Sequence, residues 1–198
     1  ARLGQIHQFL LSCELDARLG ASLDPRVQPG LHALRFELGA ACKQAFLSTT
    51  VSPSRLQRDV AASLRALGAV LDEEAVDPAS GYTIDILIHT DETRVPGGEN
   101  LLGVAVEVDG PTHFLAGRSG WALGRARWST LLKRRHLAWL GYKVVSVPYW
   151  EWEVLKTAAD KSAYLRRALS APPQSPPAAL EAEMACTLAH MPAQGREA

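Results

Sequence analysis

Cysteine is scarce in this 198-residue sequence. The three present, Cys13, Cys42 and Cys186, are far apart and form no C-x-x-C pair. That excludes a zinc module and a disulfide framework. No apolar run is long enough to cross a bilayer as a helix, so no membrane partner is expected. Net charge is also missing, with 21 basic and 21 acidic residues, so the total says nothing of partners. No internal repeat is visible. The sequence opens on Ala1 rather than methionine and is expected to be a processed or truncated product.

The charges are, however, unevenly distributed. From Leu71 to Gly110 there are ten acidic residues and one basic, Arg94; from Pro111 to Ser170 there are eleven basic and three acidic. An acidic half precedes a basic half. A basic face is a candidate nucleic-acid surface, although any single charge is more simply read as solvating a helix.

The periodicities place the elements. Residues 1–50 read as helical, broken at "LDPRVQPG"; His7 and His32 are packing or surface residues. A helix follows in "VSPSRLQRDVAASLRALGA", with Ser52 as its cap, Pro53 in its first turn and Gly68 at its end. Leu56, Val60, Leu64 and Leu67 form its buried stripe. The acidic "LDEEAVDPASG" connects to a strand, "YTIDILIH", with a further short strand at 69–71. After the polar turn "TDETRVPGGEN" comes a second strand, "LLGVAVEVDG", forming a hairpin with the first. "FLAGRSGWALG" is a loop. "RARWSTLLKRRHLAWLG" is a helix, "YKVVSVPYW" a strand, and "YWEWEVLKTAADKSAYLRRAL" one final helix. The proline- and alanine-rich remainder reads as an extended or partner-held tail. This order predicts an α/β fold with a small mixed sheet flanked by helices.

The stretch "VAVEVDGPTHF" at 104–114 is the chemically loaded one. Alternation puts Val104, Val106 and Val108 on one side of a strand, and Ala105, Glu107 and Asp109 on the other. Two acids therefore share a face beside His113. Asp85 on the preceding strand is expected on the same face. Asp109-Gly110-Pro111 is also a good turn in its own right. Carboxylates crowded on adjacent strands nevertheless require a cation or a basic partner.

These residues, followed by "LLKRRHLAWLGYKVVSVPYWEW", resemble the RAP domain, an RNA-binding module of organellar RNA-processing proteins that include the FAST kinase domain proteins. The likeness rests on Glu107, Asp109, Gly110, Pro111, His113 and Phe114; on Leu132, Lys133, Arg134, Arg135 and Leu137; on Leu140, Gly141, Tyr142, Val144 and Val145; and on Pro148 through Trp152. It extends over roughly residues 52–157. The resemblance implies three regions: a helical extension (1–50), a RAP domain (52–169) and a Pro/Ala-rich tail (170–198). It further implies a restriction-endonuclease-like fold, of the PD-(D/E)XK kind and nearest the very-short-patch-repair endonucleases. Asp85 and the Glu107/Asp109 pair fall on the acid positions of that pattern, although Asp109 stands where lysine is usual.

On that basis Asp85, Glu107, Asp109 and His113 are the candidate catalytic set. Asp85 and Glu107 would be the ligands of a Mg²⁺ ion if the site is catalytic, with His113 as proton carrier. Arg125, Arg127, Lys133, Arg134 and Arg135 are expected to contact RNA phosphate. Trp121 and Trp128 are candidates for base stacking, whereas Trp139 and Trp150 fit core positions. An aspartate at 109 adds negative charge where it opposes attack on phosphate. The favoured reading is therefore RNA binding without a required cofactor, in a mitochondrial (alternatively chloroplast) ribonucleoprotein such as the ribosome. Protein subunits would be held by the N-terminal helices and the tail. The alternative is an active metal-dependent endonuclease on RNA or DNA.

Overall fold

Two apolar periodicities, one of helices and one of strands, meet on a single four-stranded sheet. The computed structural model describes residues 2–18, 25–48, 52–89, 101–116 and 122–172. Helices α1 (Arg2–Arg18) and α2 (Gln28–Leu47) come first, then α3 (Arg55–Ala66). Strands β1 (Leu71–Val76), β2 (Thr83–Ile88) and β3 (Gly103–Asp109) follow. A 3₁₀ turn at Pro111–His113 leads to a small antiparallel pair, β4 (Phe114–Ala116) and β5 (Ala122–Ala126). The chain continues through α4 (Trp128–Trp139), β6 (Tyr142–Pro148), α5 (Tyr149–Glu153) and α6 (Ala158–Ser170).

The main sheet has the order β1-β2-β3-β6, with β1, β2 and β3 antiparallel and β6 parallel to β3. It is the expected α/β arrangement, a mixed sheet flanked by helices with a helical N-terminal region. One face carries Val104, Val106 and Val108, packed with Val60 and Leu64 of α3, Leu165 of α6, and Trp152. The other carries Ala105, packed with Leu11 and Leu15 of α1, Leu137 of α4, Tyr82 and Tyr142. Helix α1 is thus part of the second layer.

Several local features differ from the sequence reading. The acidic "LDEEAV" segment is strand β1, longer and later than the short strand expected at 69–71. It is an edge strand, where outward side chains stay in water and charge is tolerated. The cap of α3 is Ser54, whose side chain accepts from the Gln57 N–H, two residues beyond Ser52. The segment read as a loop after Phe114 contains β4 and β5. The single final helix is two: Thr157 and Asp160 form a reciprocal capping box that starts α6 anew. Trp152, 2% exposed, is the core tryptophan, whereas Trp139 and Trp150 are half-buried. Trp150 instead packs at a tilt against Phe114, with ring centroids 4.3 Å apart. The expected polar turn at 90–100, Trp121, Cys186 and nearly all of the tail lie outside the described residues.

Gly103 opens β3 at φ +149°, where a Cβ would stand 2.9 Å from the Ile88 carbonyl oxygen. The close approach holds the β2 and β3 ends together, and with them the carboxylates farther along both strands.

Candidate functional site

The register of β2 against β3 pairs Ile86 with Val106 and Leu87 with Ala105. Continued one step, it sets Asp85 opposite Glu107, and directly opposed residues share a face. Helix α4 crosses that face and supplies the cation. Lys133 Nζ donates to Glu107 Oε2 at 2.5 Å and lies 3.9 Å from Asp85 Oδ1. The Val108 N–H donates to Asp85 Oδ2 at 2.8 Å. The expected same-face acids are thus side by side, joined by a lysine from another element.

Asp109 has its own cation. Arg134 donates to Asp109 Oδ2 at 2.5 Å and to Ser146 Oγ at 2.8 Å, while Ser146 Oγ also donates to Asp109 Oδ2. His113 Nδ1 forms an ion pair with Asp109 Oδ1 at 3.1 Å. Arg135 turns the other way, donating to Asp16 of α1 at 2.9 Å and covering the Trp139 ring at 3.8 Å. All three cations of the "KRR" run are therefore engaged within the protein, each with a side chain at most 20% exposed. The sequence could not show this, because their partners lie 26, 25 and 119 residues away. Of the other expected RNA contacts, Arg127 is exposed and its Nε donates to the Phe114 carbonyl, Arg125 is half-buried, and Trp128 is exposed.

The electrostatics follow from burial. Desolvation pushes the Glu107 carboxyl up to about 7, against the pull of Lys133, and Asp85 and Asp109 add to the rise. Burial likewise raises Asp85. Burial would also raise Asp109, but its contacts with His113, Arg134 and Ser146 hold it below the usual carboxylate range. The same contact raises His113 against the effect of its partial burial. Lys133 loses hydration, yet Glu107 and Asp85 hold its ammonium charged. The carboxylates and cations thus neutralise one another in place.

Two further groups were not found from sequence. Ser146 pairs in register with Glu107 across the parallel β3–β6 ladder; a serine inside the apolar "VVSVP" was its only signal. His136, fully buried, stands between Ser12 Oγ at 2.8 Å and the Tyr82 hydroxyl at 3.0 Å. Burial drives it down to about 4, with Arg135 and His7 adding to the shift.

The family model for the RAP domain matches residues 106–168. These residues carry the RAP domain signature. The domain's match holds Glu107, Asp109, His113, Lys133, Arg134 and Ser146; Asp85 comes from the strand before it. The chain is 33% identical over 116 residues to "RAP domain-containing protein, chloroplastic" of Oryza sativa subsp. japonica, covering 59% of this chain and 15% of that protein. It is 32% identical over 166 residues to "FAST kinase domain-containing protein 3, mitochondrial" of Rattus norvegicus, covering 83% of this chain and 21% of the relative. With the protein of that name from Homo sapiens it shares 38% over 93 residues, covering 44% and 13% respectively. The chain therefore spans about a fifth or less of these relatives' length. Among the described residues no helix is long and apolar enough to cross a membrane.

Proposed function

We propose that the chain is an RNA-binding module of organellar RNA metabolism, mitochondrial or, alternatively, chloroplastic. The observation that carries this is the RAP domain match over the acid–base cluster, in relatives whose names place them in those organelles. RNA would meet the exposed Arg127 and Trp128 at the start of α4, next to the cluster rather than through Arg134 and Arg135. Phe36, 93% exposed, and Phe9, 53% exposed, leave apolar surface on α2 and α1. That surface supports a place within a larger ribonucleoprotein, the ribosome included, with protein subunits against the N-terminal helices and the tail.

The test is fluorescence anisotropy with labelled single-stranded RNA across a salt series. Affinity should fall linearly on a log–log scale, and Arg127→Gln should reduce the slope by about 0.7, the value for one phosphate contact to a single strand. Trp128→Ala should weaken binding by about fivefold or more if a base stacks on it. Binding that ignores salt would sink the reading.

One observation favours the endonuclease alternative: Lys133 brings to the acid pair the lysine that position 109 lacks. A divalent ion does not fit the arrangement as it stands. The oxygens of Glu107 and Asp85 that would share it face the Lys133 ammonium, and among the described residues no three His, Cys, Asp or Glu groups converge as ligands. Cleavage of labelled RNA or duplex DNA in Mg²⁺ or Mn²⁺, lost in Glu107→Ala and Asp85→Ala, would establish the enzyme reading instead.

A further inference from the structure

The main sheet has two edges, and they are finished differently. β1 carries Asp72, Glu73 and Glu74, with Asp72 exposed, and its ladder with β2 skips Glu74, which sits at φ +52°. Charge and an interrupted ladder are usual defences of an edge strand. β6 has neither. Its seven residues, "YKVVSVP", run in unbroken register with β3 and pair with no strand on the other side among the described residues. Its one charge, Lys143, is turned onto α6, where Nζ donates to the Leu169 carbonyl at 2.5 Å. Ser146 is turned inward to Asp109. The outer edge is left as a row of backbone N–H and C=O groups between valines, which is a template for another strand.

A cavity of about 230 Å³ lies along this edge. Four consecutive residues of β6, Lys143 through Ser146, line one side of it, and Arg167 and Ala168 of α6 line the other. α6 runs antiparallel to β6. Leu169 meets Lys143 at the start of the strand, and the Tyr164 hydroxyl donates to Glu151 just past its end. The groove is therefore bipolar, with Lys143 toward one end and Glu151 at the other. The chain's own tail is the wrong occupant. It leaves α6 at the Lys143 end, so a strand it added there would run parallel to β6. α4 and α6 pack on opposite faces of the sheet, so the crossovers β3–α4–β6 and β6–α6–tail would have opposite hands, and left-handed ones are about 2% of such connections. Pro172, Pro173, Pro176 and Pro177 also lack the N–H that a strand donates. A second copy has neither defect. Two β6 strands related by a twofold axis run antiparallel, keep α6 on the same side in both, and set the Lys143 end of each against the Glu151 end of the other.

We propose that two copies of the chain pair through β6, edge to edge, joining their four-stranded sheets into one. Lys143 of each copy pairs with the partner's Glu151. The joined sheet then ends at both sides on the acidic, interrupted β1, so association stops at two. The surface used lies outside the acid–base cluster, and the pairing is independent of the RNA-binding reading.

Sedimentation equilibrium of the full chain from about 1 to about 100 µM should show the mass rising from 21.4 kDa toward twice that value. Lys143→Glu and Glu151→Lys each set two like-charge contacts across the twofold, and each should weaken the dimer about tenfold. An equimolar mixture of the two variants should dimerise as the wild type does, because each copy then brings the charge that the other needs. A folding defect in either variant could not give that result. A mass that stays at 21.4 kDa throughout the range overturns the proposal, as do single variants that dimerise like the wild type. Monomers whose β6 amides are all protected against hydrogen exchange overturn it in favour of the chain's own tail.

Discussion

The two faces of β3 are built on opposite principles. On one, Val104, Val106 and Val108 meet α3 and α6 in a cluster of apolar side chains. On the other, one residue apart along the same strand, Glu107 and Asp109 are as deeply buried, at 2% and 0% exposure, and each needs a named cation to remain there. The first face is held by area and shape, and tolerates substitutions of similar volume. The second is held by pairing and fails when one partner is removed. The first therefore supplies stability, and the second fixes how α4 lies against the sheet.

The largest expected effect breaks the second face. Arg134→Met leaves buried Asp109 with only His113 and Ser146 as partners and should cost about 3 kcal/mol in chemical denaturation. Adding Asp109→Leu should recover much of that loss, so the double variant costs clearly less than the sum of the singles. Strict additivity would mean that Arg134 and Asp109 do not act as a pair.

On the first face, Leu64→Ala removes a fully buried side chain and should cost about 3 kcal/mol through the cavity it leaves. Leu64→Met should cost under about 1.5 kcal/mol. Equal losses for the two would show that the site does not depend on volume.

Acid acts on two groups of the polar face in opposite senses. His136 titrates near 4 in the fold against an ordinary 6.5, so between those values the unfolded chain takes up a proton that the fold refuses. Stability contributed by neutral His136 is present above 6.5 and is lost as the pH falls toward 4. Glu107 titrates near 7 against an ordinary 4.5, so there the fold takes the proton first and stability rises as the pH falls from 7 to 4.5. The two slopes, each at most about 1.4 kcal/mol per pH unit, oppose one another. Glu107→Gln should remove the rising contribution and steepen the loss between pH 6.5 and 4.5, read from urea midpoints. A variant profile parallel to the wild type would show that Glu107 carries no such shift.

The smallest effect lies outside both faces. Trp128→Ala should change stability by about 0.5 kcal/mol or less, since the ring is 43% exposed, and report only on RNA.

How far the sequence reached follows the same division. Alternation in "VAVEVD" separated the valines from the acids, and the pairing of β2 with β3 brought Asp85 beside Glu107 as expected, because both depend on short-range periodicity. The basic run at 133–135 was visible, but not its direction, since a helix surface shows charge and not the distant carboxylate that turns it inward. The acidic β1 was hidden because an edge strand need not be apolar. The division between α5 and α6 was legible in Thr157 and Asp160, a capping pair that the apolar spacing around it obscured. Trp152 outranked Trp139 and Trp150 in the core for reasons of packing that composition does not carry.

Helix α1 has a practical consequence for anyone excising the recognisable motif. The RAP match begins at residue 106, in the middle of β3, and excludes β1, β2 and every helix before them. A fragment cut to 106–168 would lack Asp85, the Tyr82 and Ser12 that hold His136, and the α3 side of the apolar cluster. The signature is therefore smaller than the packed unit it belongs to. Expression boundaries belong upstream of Arg2–Arg18, and a sequence showing the motif alone should be searched N-terminally for a helix able to place a hydroxyl where Ser12 stands.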